Sequence, residues 1–350
     1  QKINNARNFP SAAQIELTYR CSLNCVHCYC KGSEDCKEEI PSGEWKKIID
    51  AMQAEDMLWL TFTGGDPLMR EDFLELYTYA KTKGFIITIF TNAQLFTERI
   101  INYLAKCPPY SIEVTLNGIS KDTYESITRV EGSFSKATGN IKKLAAKRLP
   151  VVLKSNCLRQ NKNEIGMIKK WAEDLLGRPS LGRYSFKYDP MIFPRLNGDK
   201  APCKYRLCFE ELSELKKQYG DIWDEYQRSL RCDFPDLKRE RNFLYHCNSW
   251  MRQFFINPFG RLKFCIFSEK FSFDFKSAPL KDGFYNLSQR ILREKFKTNA
   301  KCLSCRLRAF CYYCPARAYL ETGDEEAPVE YYCSLAEKTA EYITLQSNEI

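Results

Sequence analysis

The chain has 350 residues with 44% hydrophobic content, enough to bury a large core and a satellite and too much for a disordered chain. No apolar run approaches the roughly 18 residues of a membrane span and no basic-then-apolar segment opens the chain, so a soluble, cytoplasmic protein with no membrane role is expected. The net charge of +9 is scattered over helix-like stretches (Lys142, Lys143, Lys147, Arg148; Lys169, Lys170; Lys238, Arg239, Arg241), which reads as solvated helix faces and not as a nucleic-acid footprint.

A first strand is predicted over 15–18, and directly after it comes Tyr19-Arg20-Cys21-Ser22-Leu23-Asn24-Cys25-Val26-His27-Cys28-Tyr29. The C-x3-C-x2-C spacing supplies three thiolates to a four-iron cluster and leaves one iron free to bind a substrate or cofactor. The alternatives are an incomplete zinc knuckle or three unrelated buried thiols, although structural zinc normally closes its shell with four ligands. An amphipathic helix over 42–54 leads to a buried strand over 58–63, which ends in Gly64-Gly65-Asp66-Pro67. Two glycines allow a close backbone approach to a ligand, and proline fixes the turn.

Together the cysteine triplet and the Gly-Gly-Asp-Pro loop resemble the radical S-adenosylmethionine (SAM) superfamily. His27 fills the place of that motif's aromatic residue, which lies beside the SAM adenine, and Asp66 stands where the family carries Glu. The resemblance implies that Cys21, Cys25 and Cys28 hold a [4Fe–4S] cluster whose open iron chelates the SAM methionyl group. Gly64, Gly65, Asp66 and Pro67 would then meet its ammonium.

Further strands are predicted over 85–91, 111–116, 151–156 and 184–188, with helices over 71–83, 97–106, 135–148 and 162–175 between them. Strict alternation implies right-handed crossovers and a six-stranded parallel sheet in an α/β fold. The resemblance makes this an open, partial (β/α)6 barrel with its site at the carboxyl ends of the strands. Glu113, Thr115 and Asn117 share one face of the fourth strand. Thr115 and Asn117 stand where relatives often carry Ser and Asp around the SAM ribose. Arg129 resembles the family's arginine before a Gly-Ser-Phe helix start. Lys154, Asn156, Lys187 and Asp189 are further candidates for SAM carboxylate or substrate contacts.

After Asp189 the chain turns loop-rich, then cysteine-rich. Cys247, Gly260 and Cys265 precede Cys302-x2-Cys305-x5-Cys311-x2-Cys314 and a distant Cys333. Taken alone, this segment could also be a zinc ribbon. It resembles the SPASM extension of radical SAM enzymes, with two residues in place of the usual three between Cys311 and Cys314. The family's connectivity implies one auxiliary [4Fe–4S] cluster on Cys302, Cys305, Cys311 and Cys333. A second would use Cys247, Cys265 and Cys314, completed by Cys232 or, less favourably, by Cys203 or Cys208, or left open. The expected organisation is an extension (1–14), a barrel (15–190), a bridging region (191–245), a small loop-rich SPASM domain (246–335) and a tail (336–350). Of the remaining cysteines Cys30, Cys36, Cys107 and Cys157, the last sits at the barrel mouth and could donate a hydrogen atom to a substrate radical.

The resemblance implies reductive cleavage of SAM to a 5′-deoxyadenosyl radical that abstracts hydrogen from an unactivated C–H bond. Most SPASM enzymes modify ribosomally made peptides. A peptide maturase forming an oxidative thioether or carbon–carbon crosslink is therefore the expected function. Alternatives are epimerisation, oxidation of a small molecule, a tetrapyrrole or a protein Ser or Cys, and a non-enzymatic iron–sulfur electron carrier. No winged-helix recognition domain precedes Ile15 in the residues shown, which leaves recognition to a separate leader-peptide-binding protein, to a missing N-terminal segment or to no dedicated module; a flavodoxin or ferredoxin is the expected reductant.

Overall fold

The computed structural model describes residues 9–32, 38–177, 184–230, 242–247 and 249–347. Its first half alternates β1 (Ala12–Thr18), α1 (Ser42–Ala54), β2 (Trp59–Gly64), α2 (Phe73–Thr82), β3 (Ile86–Thr91), α3 (Glu98–Lys106) and β4 (Ser111–Thr115). It continues through α4 (Lys121–Thr128), α5 (Ser133–Ala146), β5 (Val151–Asn156), α6 (Ile165–Leu176) and β6 (Phe186–Asp189). All neighbouring pairs from β1 to β6 are parallel. β6 lies at one edge of the sheet and never pairs with β1, so the barrel stays open.

Packing follows the sequence period. In α1 the buried residues Trp45, Ile48, Ile49 and Met52 recur at helical spacing. Ile15 and Leu17 of β1 are fully buried, and so are the alternate, inward-facing Glu16 and Thr18. Each such apolar side chain contributes about 1.5–3 kcal/mol by leaving water. The polar ones need partners, and these partners build the site.

Two features of this fold lie outside the predicted elements. Helix α4 carries Asp, Ser and β-branched residues that favour turns. It forms because Glu164, just before α6, accepts from the Ile119 N–H (2.7 Å), the Ser120 hydroxyl (2.6 Å) and the Thr123 hydroxyl (2.6 Å). Beyond α7 (Phe209–Leu230), three short strands extend the same sheet: β7 (Gln253–Ile256), β8 (Arg261–Lys263) and β9 (Ser272–Asp274). β7 joins the exposed flank of β1 in parallel, and β8 and β9 follow antiparallel. Lys263, only 1% exposed, is tolerated there because its ammonium donates to the Ile266 carbonyl (2.9 Å) and the Glu269 carboxylate (2.6 Å). The sheet therefore runs from the barrel into the cysteine-rich segment without a break. Helices α8 (Leu280–Arg293), α9 (Lys301–Ser304), α10 (Pro315–Thr322) and α11 (Glu330–Ser347) complete the chain. No helix among the described residues is long and apolar enough to cross a membrane.

A buried ion pair fastens α10 to the segment after β6. Arg206 donates through both terminal nitrogens to Glu321, at 2.8 and 2.7 Å, and through Nε to the Ile192 carbonyl at 2.8 Å. Replacing Glu321 with Ala strands a guanidinium that is 6% exposed, at an expected cost of about 3–5 kcal/mol. A urea titration of the Glu321→Ala chain, with Glu321→Gln as a partial rescue, checks this.

Candidate active site

The loop carrying Cys21, Cys25 and Cys28 is held on two sides by backbone bonds and on a third by a side-chain amide. The Gly65 N–H donates to the Thr18 carbonyl (2.8 Å) and the Asp66 N–H to the Arg20 carbonyl (3.0 Å). On the far side the Asn24 and Val26 N–H groups donate to Thr128 (2.9 Å) and Ile127 (3.0 Å) at the end of α4. From the exit of β3, Asn92 Nδ2 lies 3.3 Å from Cys21 Sγ. Burial pushes the Cys21 thiol up to about 11 and raises Cys25 as well, so binding iron must release their protons.

The Gly-Gly-Asp-Pro loop is built for this contact. A Cβ on Gly64 would lie 2.1 Å from the Thr18 carbonyl oxygen, and one on Gly65 would lie 2.3 Å from that of Arg20. The glycines thus admit the start of the cysteine loop itself. Asp66 is fully buried and its carboxylate faces inward. It accepts from the Leu68 N–H (2.9 Å), the Thr91 hydroxyl (2.8 Å) and the Asn92 N–H (2.8 Å). Burial raises its pKa, and these donors oppose the rise. Gly64 and Gly65 line the cavity described next, whereas Asp66 and Pro67 do not; the Asp66 carboxylate ties the loop to the exit of β3.

Beneath the loop lies a cavity of about 930 Å³. All three cysteines line it, as do His27, Thr115, Asn117, Lys154, Asn156, Lys187 and Asp189. Asn117 Oδ1 accepts from the Asn156 N–H (2.9 Å), so its Nδ2 is the donor facing His27 Nε2 at 3.3 Å. Burial lowers His27 to about 4, which keeps the ring neutral. Its proton therefore sits on Nδ1, which is sealed from water with no hydrogen-bond partner. Elsewhere on the cavity wall, Lys187 Nζ lies 2.9 Å and Lys154 Nζ 3.8 Å from the Glu113 carboxylate. Burial alone would raise Glu113, but the two lysines outweigh it and hold its carboxyl low. Burial brings Lys154, whose ammonium lies over the Phe90 ring, down to about 8.

Two further predicted residues of the barrel are not in the cavity. Arg129 is exposed and caps α4 in the left-handed region, with φ 58°. Cys157 is fully buried in the core, because alternation along β5 turns Lys154 and Asn156 inward and Cys157 away. Three participants were missed. Asn92 meets the Cys21 sulfur. Tyr124 lines the cavity with its hydroxyl unpaired. Glu16 accepts from the hydroxyls of Tyr19 (3.0 Å) and Tyr29 (2.8 Å). The parity of Glu16 with Thr18 on β1 was the signal available for the last.

The later cysteines fall into two neighbourhoods. Burial and then Cys333, Cys311 and Cys305 push Cys302 up to about 11. Burial and then Cys314, with Cys247 further down the order, push Cys265 up to about 12. Ile266 and Phe267, next to Cys265, line the cavity. Cys203 packs instead by Arg206 and Glu321, and Cys208 by Glu210 and Glu211. Cys36 and Cys232 lie outside the described residues.

The sequence profile of the Radical SAM superfamily matches residues 15–172, the stretch that carries the cysteine loop and most of the cavity wall. Over those residues the chain is similar to the radical SAM superfamily. It is similar to the AdoMet-dependent heme synthase of Methanosarcina barkeri, with 25% identity over 93% of this chain and 97% of the relative. Similarity to the PqqA peptide cyclase of Bradyrhizobium diazoefficiens is 24% over 93% and 87%. The crystal structure of Streptococcus suis SuiB bound to precursor peptide SuiA superposes with a TM-score of 0.70 at 18% identity, covering 94% of this chain and 76% of that one; at that identity it shows the shared fold.

The superfamily match implies a [4Fe–4S] cluster and SAM, and the residues present fit both. Three thiols share one cavity, yet among the described residues no three His, Cys, Asp or Glu side chains converge as ligands of a single ion. That separation suits a cube in which each thiolate takes its own iron. The unpaired His27 Nδ1 is a donor that a bound cofactor can satisfy.

Two outcomes are expected from this geometry. Gly65→Ala collides with backbone and should abolish iron binding at the cysteine loop, whereas Gly43→Ala, with open space around it, should leave iron content and circular dichroism unchanged. Lys154 should titrate near pH 8. Its burial as a cation disfavours the fold, and stability from this group should rise as the pH climbs from about 8 towards the ordinary lysine value of about 10.4. The resonance of 13C-methylated Lys154, assigned with Lys154→Met, reads this directly.

Proposed function

We propose that this chain is a radical SAM enzyme, a peptide maturase that introduces an oxidative thioether or carbon–carbon crosslink into a ribosomally made peptide. One observation carries the reading: a single cavity is lined both by the Cys21 loop and by Ile266 and Phe267 beside Cys265. A substrate held there lies against the radical-generating side and beside the segment that carries Cys265. The names of the PqqA peptide cyclase and of SuiB with its precursor peptide support a peptide as substrate.

In this reading Cys21, Cys25 and Cys28 hold the first [4Fe–4S] cluster, with His27, Gly64, Gly65, Thr115, Asn117 and Lys154 around SAM. Cys302, Cys305, Cys311 and Cys333 hold one auxiliary cluster, and Cys247, Cys265 and Cys314 the other. When bound, the first cluster and SAM supply a hydrogen-abstracting 5′-deoxyadenosyl radical. The chain's own residues do the rest. Phe90, Tyr188, Phe193 and Phe267 wall the cavity with apolar surface that keeps water from a reactive carbon. Lys154 and Lys187, braced by Glu113, orient polar groups of the substrate. A flavodoxin or ferredoxin would deliver the electron, and a separate leader-binding protein would present the peptide.

A second reading is oxidation of a carboxylate-bearing tetrapyrrole side chain. The cavity lysines and the similarity to an AdoMet-dependent heme synthase along the whole of its length favour it.

The test is anaerobic co-expression with a short peptide encoded beside the gene, followed by mass spectrometry, with Cys21→Ala as control. Loss of two hydrogens per site, about 2 Da, is the expected result. Deuterium uptake from heavy water without other mass change would mean epimerisation. An unmodified peptide together with 5′-deoxyadenosine formation would favour the second reading.

A further inference from the structure

Arg317 occupies the first turn of α10, three residues after Cys314, at the seam between the cavity and the cysteine-rich segment. Its guanidinium carbon lies 3.9 Å from the centre of the Phe193 ring and 5.4 Å from that of Phe267. These two rings pack 4.9 Å apart and both line the cavity. Nε is sealed from solvent and has no hydrogen-bond partner. Arg206, on the neighbouring segment, has its own carboxylate in Glu321, whereas Arg317 forms no ion pair among the described residues. The electrostatic neighbours of Arg317 are Cys314 first, then Tyr332, Cys265 and Asp189.

A half-buried guanidinium with no carboxylate in salt-bridge contact is costly, and stacking on aromatic faces offsets that cost only in part. Cys314 and Cys265 supply the missing negative charge once they are thiolates. A four-iron core of about +2 with three thiolates carries a net charge of about −1, and a fourth thiolate makes it −2. We infer that Arg317 is the counter-charge of the Cys265 and Cys314 thiolates and sets the reduction potential of the cluster they hold. Adding an electron makes the cluster more negative, so a fixed cation beside it favours the reduced form and raises its potential. Arg317 is a positioning residue in this role. The inference rests on the proposed function insofar as that reading places a cluster on this thiol set.

The experiment is a redox titration followed by electron paramagnetic resonance. It uses the full-length, anaerobically reconstituted chain with Cys21, Cys25 and Cys28 replaced by Ala, so that only auxiliary signals remain, and compares Arg317, Arg317→Leu and Arg317→Lys. The expected result is a shift of one of two auxiliary midpoints to more negative potential in the Leu variant, with the other unmoved and most of the shift reversed in the Lys variant. Iron lost in the Leu variant and retained in the Lys variant would also support the charge role. Unchanged midpoints at full iron content would overturn it, as would equal loss of iron in both variants. Iron for fewer than two clusters in the Arg317 parent would overturn the auxiliary-cluster reading as well, which separates the two failures.

Discussion

Three donors close on the Asp66 carboxylate in an interior that water does not reach: the Leu68 N–H within its own turn, and the Thr91 hydroxyl and Asn92 N–H from the exit of β3. Leaving any one of them unpaired would cost about 1–3 kcal/mol. The tie matters because the same loop, through Gly65 and Asp66, grips the carbonyls of Thr18 and Arg20 immediately before Cys21. Asn92, placed by its bond to Asp66, is also the residue whose amide reaches the Cys21 sulfur. One buried carboxylate therefore registers the ends of β1, β2 and β3 against one another, and the cysteine loop is shaped before any iron arrives.

The remaining walls are organised around the same principle, that inward-facing polar side chains on a parallel sheet must find partners. Glu16 finds two tyrosines, Asn117 finds Asn156 and His27, and Glu113 finds Lys154 and Lys187. Among the described residues that line the cavity, the His27 Nδ1 and the Tyr124 hydroxyl have no hydrogen-bond partner and are available to a ligand. The extension of the sheet by β7 brings the loop after β8 to the open side of the barrel. Ile266 and Phe267, next to Cys265, thereby face the Cys21 loop across one cavity.

Much of this was legible in the sequence, for local reasons. The cysteine spacing, the Gly-Gly-Asp-Pro turn and the strand–helix alternation are short-range patterns, and 42–54, 111–115 and 151–156 fold as their periodicity implies. What escaped depends on partners far along the chain. Helix α4 is stabilised by Glu164, more than 40 residues away. The partners of the Asp66 carboxylate from β3 lie 25 and 26 residues on, so its inward turn could not be seen in the motif. β7 is too short to be recognised alone and exists because β1 offers it an edge. Cys157 is different, since alternation from Lys154 would have turned it away from the cavity, and Arg129 was placed by motif position without regard to its helix-capping geometry.

The account stands on the Cys21 loop being a separate, open-iron site that acts on SAM. Iron content and 5′-deoxyadenosine formation, measured on the reconstituted chain and on the Cys21→Ala, Cys25→Ala, Cys28→Ala triple variant, test this most directly. About twelve irons falling to about eight, with SAM cleavage abolished and the auxiliary signals retained, is the expected result. Unchanged iron content, or continued SAM cleavage by the variant, would contradict it.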